Sequence, residues 1–184
     1  MAERITGRTA LLVIDVQVAL SRGPQAVLDA PAVIGRINRV IAAARAAGAT
    51  IVFIQHETPG ASFAVDSPGW ALDPALHVRA DDLRLRKTAT DSFHRTELQA
   101  WLQARGIDHL VICGFQSDFC VDTTTRRALA LGYPVTLVAD GHATVDNGVL
   151  AAAQITAHHN RTLADIESFG PRATLVTAAQ FAAD

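Results

Sequence analysis

Cys120 stands where an apolar run, a loop and a helix meet, and a thiol at such a junction can act as a nucleophile. Residues 109–132, HLVICGFQSDFCVDTTTRRALALG, read as a buried strand at 110–113, a loop opened by Gly114, and a helix that begins at Cys120. Gly132, with Pro134 beyond it, closes that helix, and Ser117 or Asp118 offers an oxygen to cap its start. In a first helical turn, unpaired backbone N–H groups and the positive end of the dipole favour a thiolate over a thiol. Helix starts of this kind bring a cysteine down from its usual pKa of about 8.5, and the same N–H groups can hold an oxyanion. An unpaired cysteine is also commonly a small buried apolar residue, so this segment alone leaves both readings open.

Two other ionisable side chains fall at the carboxyl ends of expected strands. Asp15 follows TALLVI at 9–14, and Lys87 ends a short run at 84–87. A carboxylate can take a thiol proton and later return it to a departing amine, while an ammonium stabilises both anions. Alone, an Asp at a strand end often caps a turn and a loop Lys is usually solvated. Asp15, Lys87 and Cys120 together make a complete set for acyl transfer without a histidine.

The elements that must position them alternate. Residues 9–14 form a first strand, and Asp29-Ala-Pro opens a helix through Val33, Ile37, Val40, Ile41 and Ala44 that Gly48 stops. Residues 49–54 (ATIVFI) form the second strand, followed by Gln55, His56 and Glu57. The stretch 58–83 lacks periodicity, holds three prolines and reads as a long loop of functional character. A short strand at 84–87, a helix at 96–105, the central strand at 110–113 and the Cys120 helix come next. A strand at 135–139 (VTLVA), a helix from about Asn147 into the 158–160 region, a strand at 173–176 and a short last helix complete the order. Strands apolar on both faces and separated by helices predict an α/β fold of three layers, a doubly wound and mainly parallel six-stranded sheet. With strand order 3-2-1-4-5-6, the reversal lies between strands one and four, so Asp15 and Cys120 share the crevice where such sheets bind ligands.

The chain of 184 residues, 49% hydrophobic, fits a single domain spanning 1–184. Its net charge is −2 with the arginines scattered, which gives no reason to expect nucleic acid or a membrane as partner and favours a small molecule. The apolar run before Asp15 is too short for a leader core or a membrane span, and the two cysteines, Cys113 and Cys120, form neither a disulfide framework nor a zinc motif. A cytoplasmic location is expected.

On three motifs the chain resembles the isochorismatase-like cysteine hydrolases, a superfamily that also holds nicotinamidases and N-carbamoylsarcosine amidase. These are LLVIDVQ at 11–17, the lysine of RKTATDSF at 86–93, and GFQSDFCVDTTTRRALALGYPVTLVAD at 114–140. The family's Gly-x-x-Thr/Ser-Asp-x-Cys loop matches Gly114 to Cys120, with Ser117 in the hydroxyl position. The resemblance implies that Asp15 is the general base and acid, Lys87 the electrostatic helper and Cys120 the nucleophile of a thioester-type acyl-enzyme. It further implies a cis peptide at Phe115–Gln116, with the backbone N–H groups of Gln116 and Cys120 as oxyanion hole, and a homodimer or larger assembly whose partner residues help close the pocket.

The nicotinamidase branch resembles a metal enzyme with an Asp-x-His pair after the second strand, but here Ile54 stands two residues before His56, and His77 lies in no matching motif. No metal and no other cofactor is therefore expected. The isochorismatase branch, which cleaves a vinyl ether, has best-known members that do without the cysteine. Cys120 points instead to the C–N bond of a small amide or ureide. Gln17, His56, Trp70, Phe93 and Phe119 are candidate substrate-binding residues, with ordinary core or interface packing as the rival explanation for the aromatics. A dinucleotide-binding oxidoreductase would need a Gly-x-Gly-x-x-Gly turn where this chain has Asp15-Val-Gln-Val. A binding protein that kept the fold without its chemistry would have little reason to keep acid, lysine and cysteine in register.

Overall fold

Strand β1 (Thr9–Ile14) is buried along its whole length and sits at the middle of the sheet. In the computed structural model, which describes residues 6–183, six strands run in the order β3-β2-β1-β4-β5-β6, and all five pairings are parallel. Residues 1–5 and Asp184, which the sequence reading included in the domain and, at the N-terminus, in the stretch judged too short for a leader, lie outside the described residues. The remaining strands are β2 (Thr50–His56), β3 (Leu83–Lys87), β4 (His109–Phe115), β5 (Val135–Ala143) and β6 (Ala173–Val176). Helices α1 (Val18–Ser21), α2 (Ala30–Ala46), α3 (Leu98–Ala104), α4 (Asp122–Ala130), α5 (Ala152–Ala164) and α6 (Ala178–Phe181) connect or follow them.

Alternation along β1 divides the interior into two layers. Leu11 and Val13 pack with Ile37 and Ile41 of α2 and Phe181 of α6, whereas Leu12 and Ile14 pack with Leu98 of α3, Leu129 of α4 and Leu163 of α5. A fully buried leucine contributes roughly 2 kcal/mol of transfer free energy. A sheet covered on both faces thus draws its stability from both layers, and the expected three-layer, doubly wound architecture with order 3-2-1-4-5-6 is found.

Three local expectations are corrected. The helix placed from about Asn147 starts at Ala152, because Asn147 folds back as a turn, its Oδ1 accepting the N–H groups of Val149 and Leu150. Cys120 is not in an α-helical first turn capped by Ser117 or Asp118. Residues Ser117–Val121 form a π-helical turn that feeds α4, while the Ser117 hydroxyl and the Asp118 carboxylate bond to other elements. Finally β5 runs past Ala139 to Ala143 because it bulges: Ile112 pairs with Leu137 but Gly114 with His142, so two steps along β4 match five along β5.

Candidate active site

Three loops at the carboxyl edge of the sheet converge on one ammonium. Asp15 leaves β1 with φ +50, its N–H donating to Ile54 O at 2.9 Å and its carbonyl accepting from Gln17 N at 2.8 Å. This left-handed turn swings the carboxylate across the reversal between β1 and β4. At the same level Gly114, with φ +119, lets the two strands approach so closely that a Cβ there would lie 2.0 Å from Ile14 O. The following peptide, Phe115–Gln116, is cis, and the π-helical turn then carries Cys120.

Lys87, the last residue of β3, is buried, and its Nζ reaches Asp15 Oδ2 at 2.7 Å, Ala89 O at 3.1 Å, Cys120 Sγ at 3.2 Å and His56 Nδ1 at 3.3 Å. The Lys87–Asp15 ion pair is wholly shielded from solvent. Burial works against the ammonium, but the Asp15 carboxylate and the Cys120 sulfur outweigh it and raise the lysine's pKa, so it stays charged. Burial, aided by that charge, pushes His56 down, which favours the neutral imidazole. Asp15 Oδ1 is buried without a hydrogen-bond partner, so the carboxylate has an acceptor to spare.

For Cys120 the expectation of a resting thiolate is corrected. Burial and the neighbouring Asp15 carboxylate raise its pKa, and the Lys87 ammonium only partly offsets them. The surroundings thus favour the thiol over the thiolate. Cys113, buried in mid-strand on the opposite face, is raised by burial alone.

A carboxylate oxygen of Asp15, a ring nitrogen of His56 and the Cys120 sulfur lie within 4.8 Å of one another, a donor set that by type could bind a divalent cation. The Lys87 ammonium already contacts all three, so a metal ion would have to sit against a fixed positive charge at the same acceptors. The residues do not fit a metal.

Of the residues expected to bind substrate, Gln17 and His56 belong to this neighbourhood. Gln17 is fully buried and donates both amide hydrogens to carbonyls, His56 O at 2.9 Å and Trp70 O at 2.8 Å, while its Oε1 accepts His56 N at 2.9 Å. Its side chain thus clamps the long loop to β2. His56 is half-buried, and its ring meets Phe63 of that loop edge-on at 5.8 Å. Trp70 has its carbonyl bound by Gln17 and Gln55, and its indole Nε1 is buried with no partner. Phe93 packs in the same core layer as Cys120, stacked on Tyr133 at 6.3 Å, and Phe119 is half exposed on the turn. Ala89 and Phe63, which complete the surroundings of Lys87 and His56, carried no signal in the sequence, since one acts through its backbone and the other lies in an aperiodic loop.

Clefts of about 560 and 670 Å³ lie elsewhere, lined by Arg45, His77 and Arg79 and by Arg84, Trp101 and Arg105, and neither includes Asp15, Lys87 or Cys120. Arg45 and Arg105 sit at the carboxyl ends of α2 and α3, where cations complement the helix dipole, which accounts for part of that basic grouping.

The isochorismatase domain model matches residues 9–168. A streptothricin hydrolase of Streptomyces noursei is 44% identical over 138 residues, 74% of this chain and 50% of its own length; a second from that organism is 41% identical and covered over 55%. The chain thus spans about half the length of these two curated relatives. The ureidoacrylate amidohydrolase of Serratia proteamaculans is 30% identical, covering 88% of this chain and 81% of its own. A crystal structure of an isochorismatase family protein superposes with TM-score 0.84 at 36% identity, over 92% of this chain and 98% of the other. That of an isochorismatase from Pseudomonas putida does so with TM-score 0.85 at 32% identity, over 94% and 89%. With the match running from the first strand nearly to the last, and with aspartate, lysine and cysteine gathered where the strand order reverses, this chain belongs to the isochorismatase family of the isochorismatase-like cysteine hydrolases.

Proposed function

We propose that the protein is a cysteine-dependent hydrolase that cleaves a C–N bond of a small amide or ureide through an acyl-enzyme. The single observation carrying this reading is the Lys87 ammonium held at 2.7 Å from Asp15 and 3.2 Å from the Cys120 sulfur, all three groups buried. Asp15 takes the thiol proton as the sulfur attacks the acyl carbon, and Lys87 balances the charge that moves from oxygen to sulfur. The developing oxyanion is received by the backbone N–H groups of Gln116 and Cys120. Asp15 then gives its proton to the departing amine, leaving a thioester. Water, deprotonated by the same carboxylate, releases the acid and restores the thiol.

The relatives named for streptothricin and ureidoacrylate support an amide or ureide target. His56, whose ring nitrogen stands 3.3 Å from Lys87 Nζ, is assigned to substrate contact, and so are Trp70, whose buried indole N–H is without a partner, and Phe119, half exposed on the Cys120 turn. The site works without a metal or organic cofactor. Residues 1–184 are read as one domain, in a compartment reducing enough to keep Cys113 and Cys120 as free thiols, and the active form as a homodimer or larger assembly. No helix among the described residues is long and apolar enough to cross a membrane.

The test is a panel containing streptothricin, ureidoacrylate and simple amides and ureides, scored for acid and amine or ammonia release by the wild type and by Cys120→Ala. Hydrolysis by the wild type and its loss in the variant is the expected result. Equal turnover by both proteins would remove the covalent mechanism.

A further inference from the structure

A second buried polar chain lies directly behind the turn that carries Cys120. His142 Nδ1 is 2.8 Å from Ser117 Oγ, His142 Nε2 is 3.0 Å from Asn160 Oδ1, Asn160 Nδ2 donates to Ala139 O at 2.9 Å, and Thr156 Oγ1 is 3.1 Å from Ser117 Oγ. The direction of every proton follows. Asn160 offers its oxygen, because its amide nitrogen is committed to Ala139; His142 therefore carries its proton on Nε2 and accepts on Nδ1. The Ser117 hydroxyl must donate to that nitrogen, and the Thr156 hydroxyl to Ser117.

The bulge in β5 is what brings His142 there. Five residues of β5 occupy the span of two on β4, folding tightly enough that a Cβ on Gly141 would lie 2.7 Å from Val138 Cγ1, and His142 emerges paired with Gly114 at the root of the nucleophile turn. Ser117 is fully buried and His142 is 2% exposed, so a partner lost here leaves a buried polar group short of a hydrogen bond. The next residue of the turn is tied to the same strand end, Thr144 Oγ1 donating to Asp118 Oδ1 at 2.5 Å.

We propose that His142 is a positioning residue for the Cys120 turn, acting through Ser117. The proposal rests on Cys120 being the nucleophile. Ser117 is three residues ahead of Cys120 in the same turn, so its direction fixes both where the sulfur lies against Asp15 and Lys87 and where the Cys120 N–H points. A displacement of about 1 Å at such a site costs up to roughly 10²-fold in rate. A serine donating to a histidine that donates to an asparagine also has the form of a nucleophile and its base. Ser117 cannot serve so, because it is wholly buried and does not line the cleft of about 260 Å³ that reaches His142, Thr156 and Asn160 from outside.

The test compares wild type with Ser117→Ala, Ser117→Thr, His142→Leu and His142→Gln, each checked for folding by circular dichroism and thermal midpoint, and reads the iodoacetamide alkylation of Cys120 as a function of pH. Loss of the tether lets the turn leave its buried seat beside Asp15, so Ser117→Ala and His142→Leu lower the alkylation midpoint by one pH unit or more. Ser117→Thr, which keeps the hydroxyl, stays near wild type, and His142→Gln, which keeps an acceptor and a donor, falls between. On any amide the wild type hydrolyses, Ser117→Ala lowers kcat at least tenfold with KM within about twofold. Variants whose thermal midpoint falls while the alkylation midpoint stays put would reduce the network to a structural staple and overturn the proposal, as would Ser117→Thr behaving like Ser117→Ala. Turnover surviving in Cys120→Ala would instead overturn the acyl-enzyme reading, so the two failures are separable.

Discussion

At the scale of single residues, the site is a question of which of three neighbours holds the proton. Because Asp15 opposes the Cys120 thiolate and Lys87 favours it, removing each should move the thiol in opposite directions. Asp15→Asn should lower the pH midpoint of Cys120 alkylation, and Lys87→Met should raise it; both should lower turnover by about 10²-fold or more. Breaking the pair should also cost about 3–5 kcal/mol in urea unfolding, since either partner is left buried and uncompensated. Midpoints that move together would mean that the two charges do not share one proton with the sulfur. The identities of Asp15, Lys87 and Cys120 were legible because acid, amine and thiol each fall at or just beyond the carboxyl end of an expected strand, and because the motifs around them match those of a known family. The resting protonation of Cys120 was not, because it depends on burial and on an Asp15 that lies far away in sequence. Gln17 shows the same limit: its type fitted a ligand contact, yet its amide is consumed by the backbone of the loop it holds.

At the scale of elements, close approach matters more than propensity. Gly114 needs both its positive φ and the absence of a Cβ, which would strike Ile14 O. Gly114→Ala should therefore cost at least about 3 kcal/mol and misplace Asp15 and Cys120 together, read as a lower thermal midpoint and lost turnover. Retained stability and activity would show that the β1–β4 spacing is not what places them. Strand β1 was readable to the residue, since TALLVI is buried on both faces and charged Arg8 and Asp15 flank it. The bulge in β5 left no trace in VTLVADGHA, because the strand's apolar run ends before the residues that rejoin the ladder. The start of α5 was misplaced for a local reason, the side-chain turn made by Asn147.

At the scale of the whole molecule, stability and pH are coupled through His142. Burial holds its imidazole down, to about 4, with His159 adding to the effect and Asn160 and Asp140 opposing it, so the folded form keeps it neutral while the unfolded chain protonates it near 6.5. The unfolded state then binds the proton first, and stability falls as pH drops from about 6.5 to about 4, by about 3 kcal/mol from this group. Urea midpoints measured across that window should decline in the wild type and decline less in His142→Gln; parallel curves would contradict the assignment. In the core, Leu12→Ala should cost about 2–5 kcal/mol, because Leu12 is fully buried in the layer that also holds α3, α4 and α5. The parallel sheet covered on both sides was legible because the β–α alternation leaves few other arrangements, whereas the order 3-2-1-4-5-6 was assumed from the doubly wound type and is found. The long loop's clamp onto β2 was not, since it is made by Gln17, Gln55 and backbone groups with no periodic signature.

The most direct measurement is intact-protein mass spectrometry of the enzyme quenched in acid during turnover of a hydrolysed amide or ureide, followed by peptide mapping. The account predicts a transient mass increase equal to the acyl group, located on Cys120 and absent in Cys120→Ala. Steady turnover by the wild type with no adduct, together with a Cys120→Ala variant as active as the wild type, would contradict it.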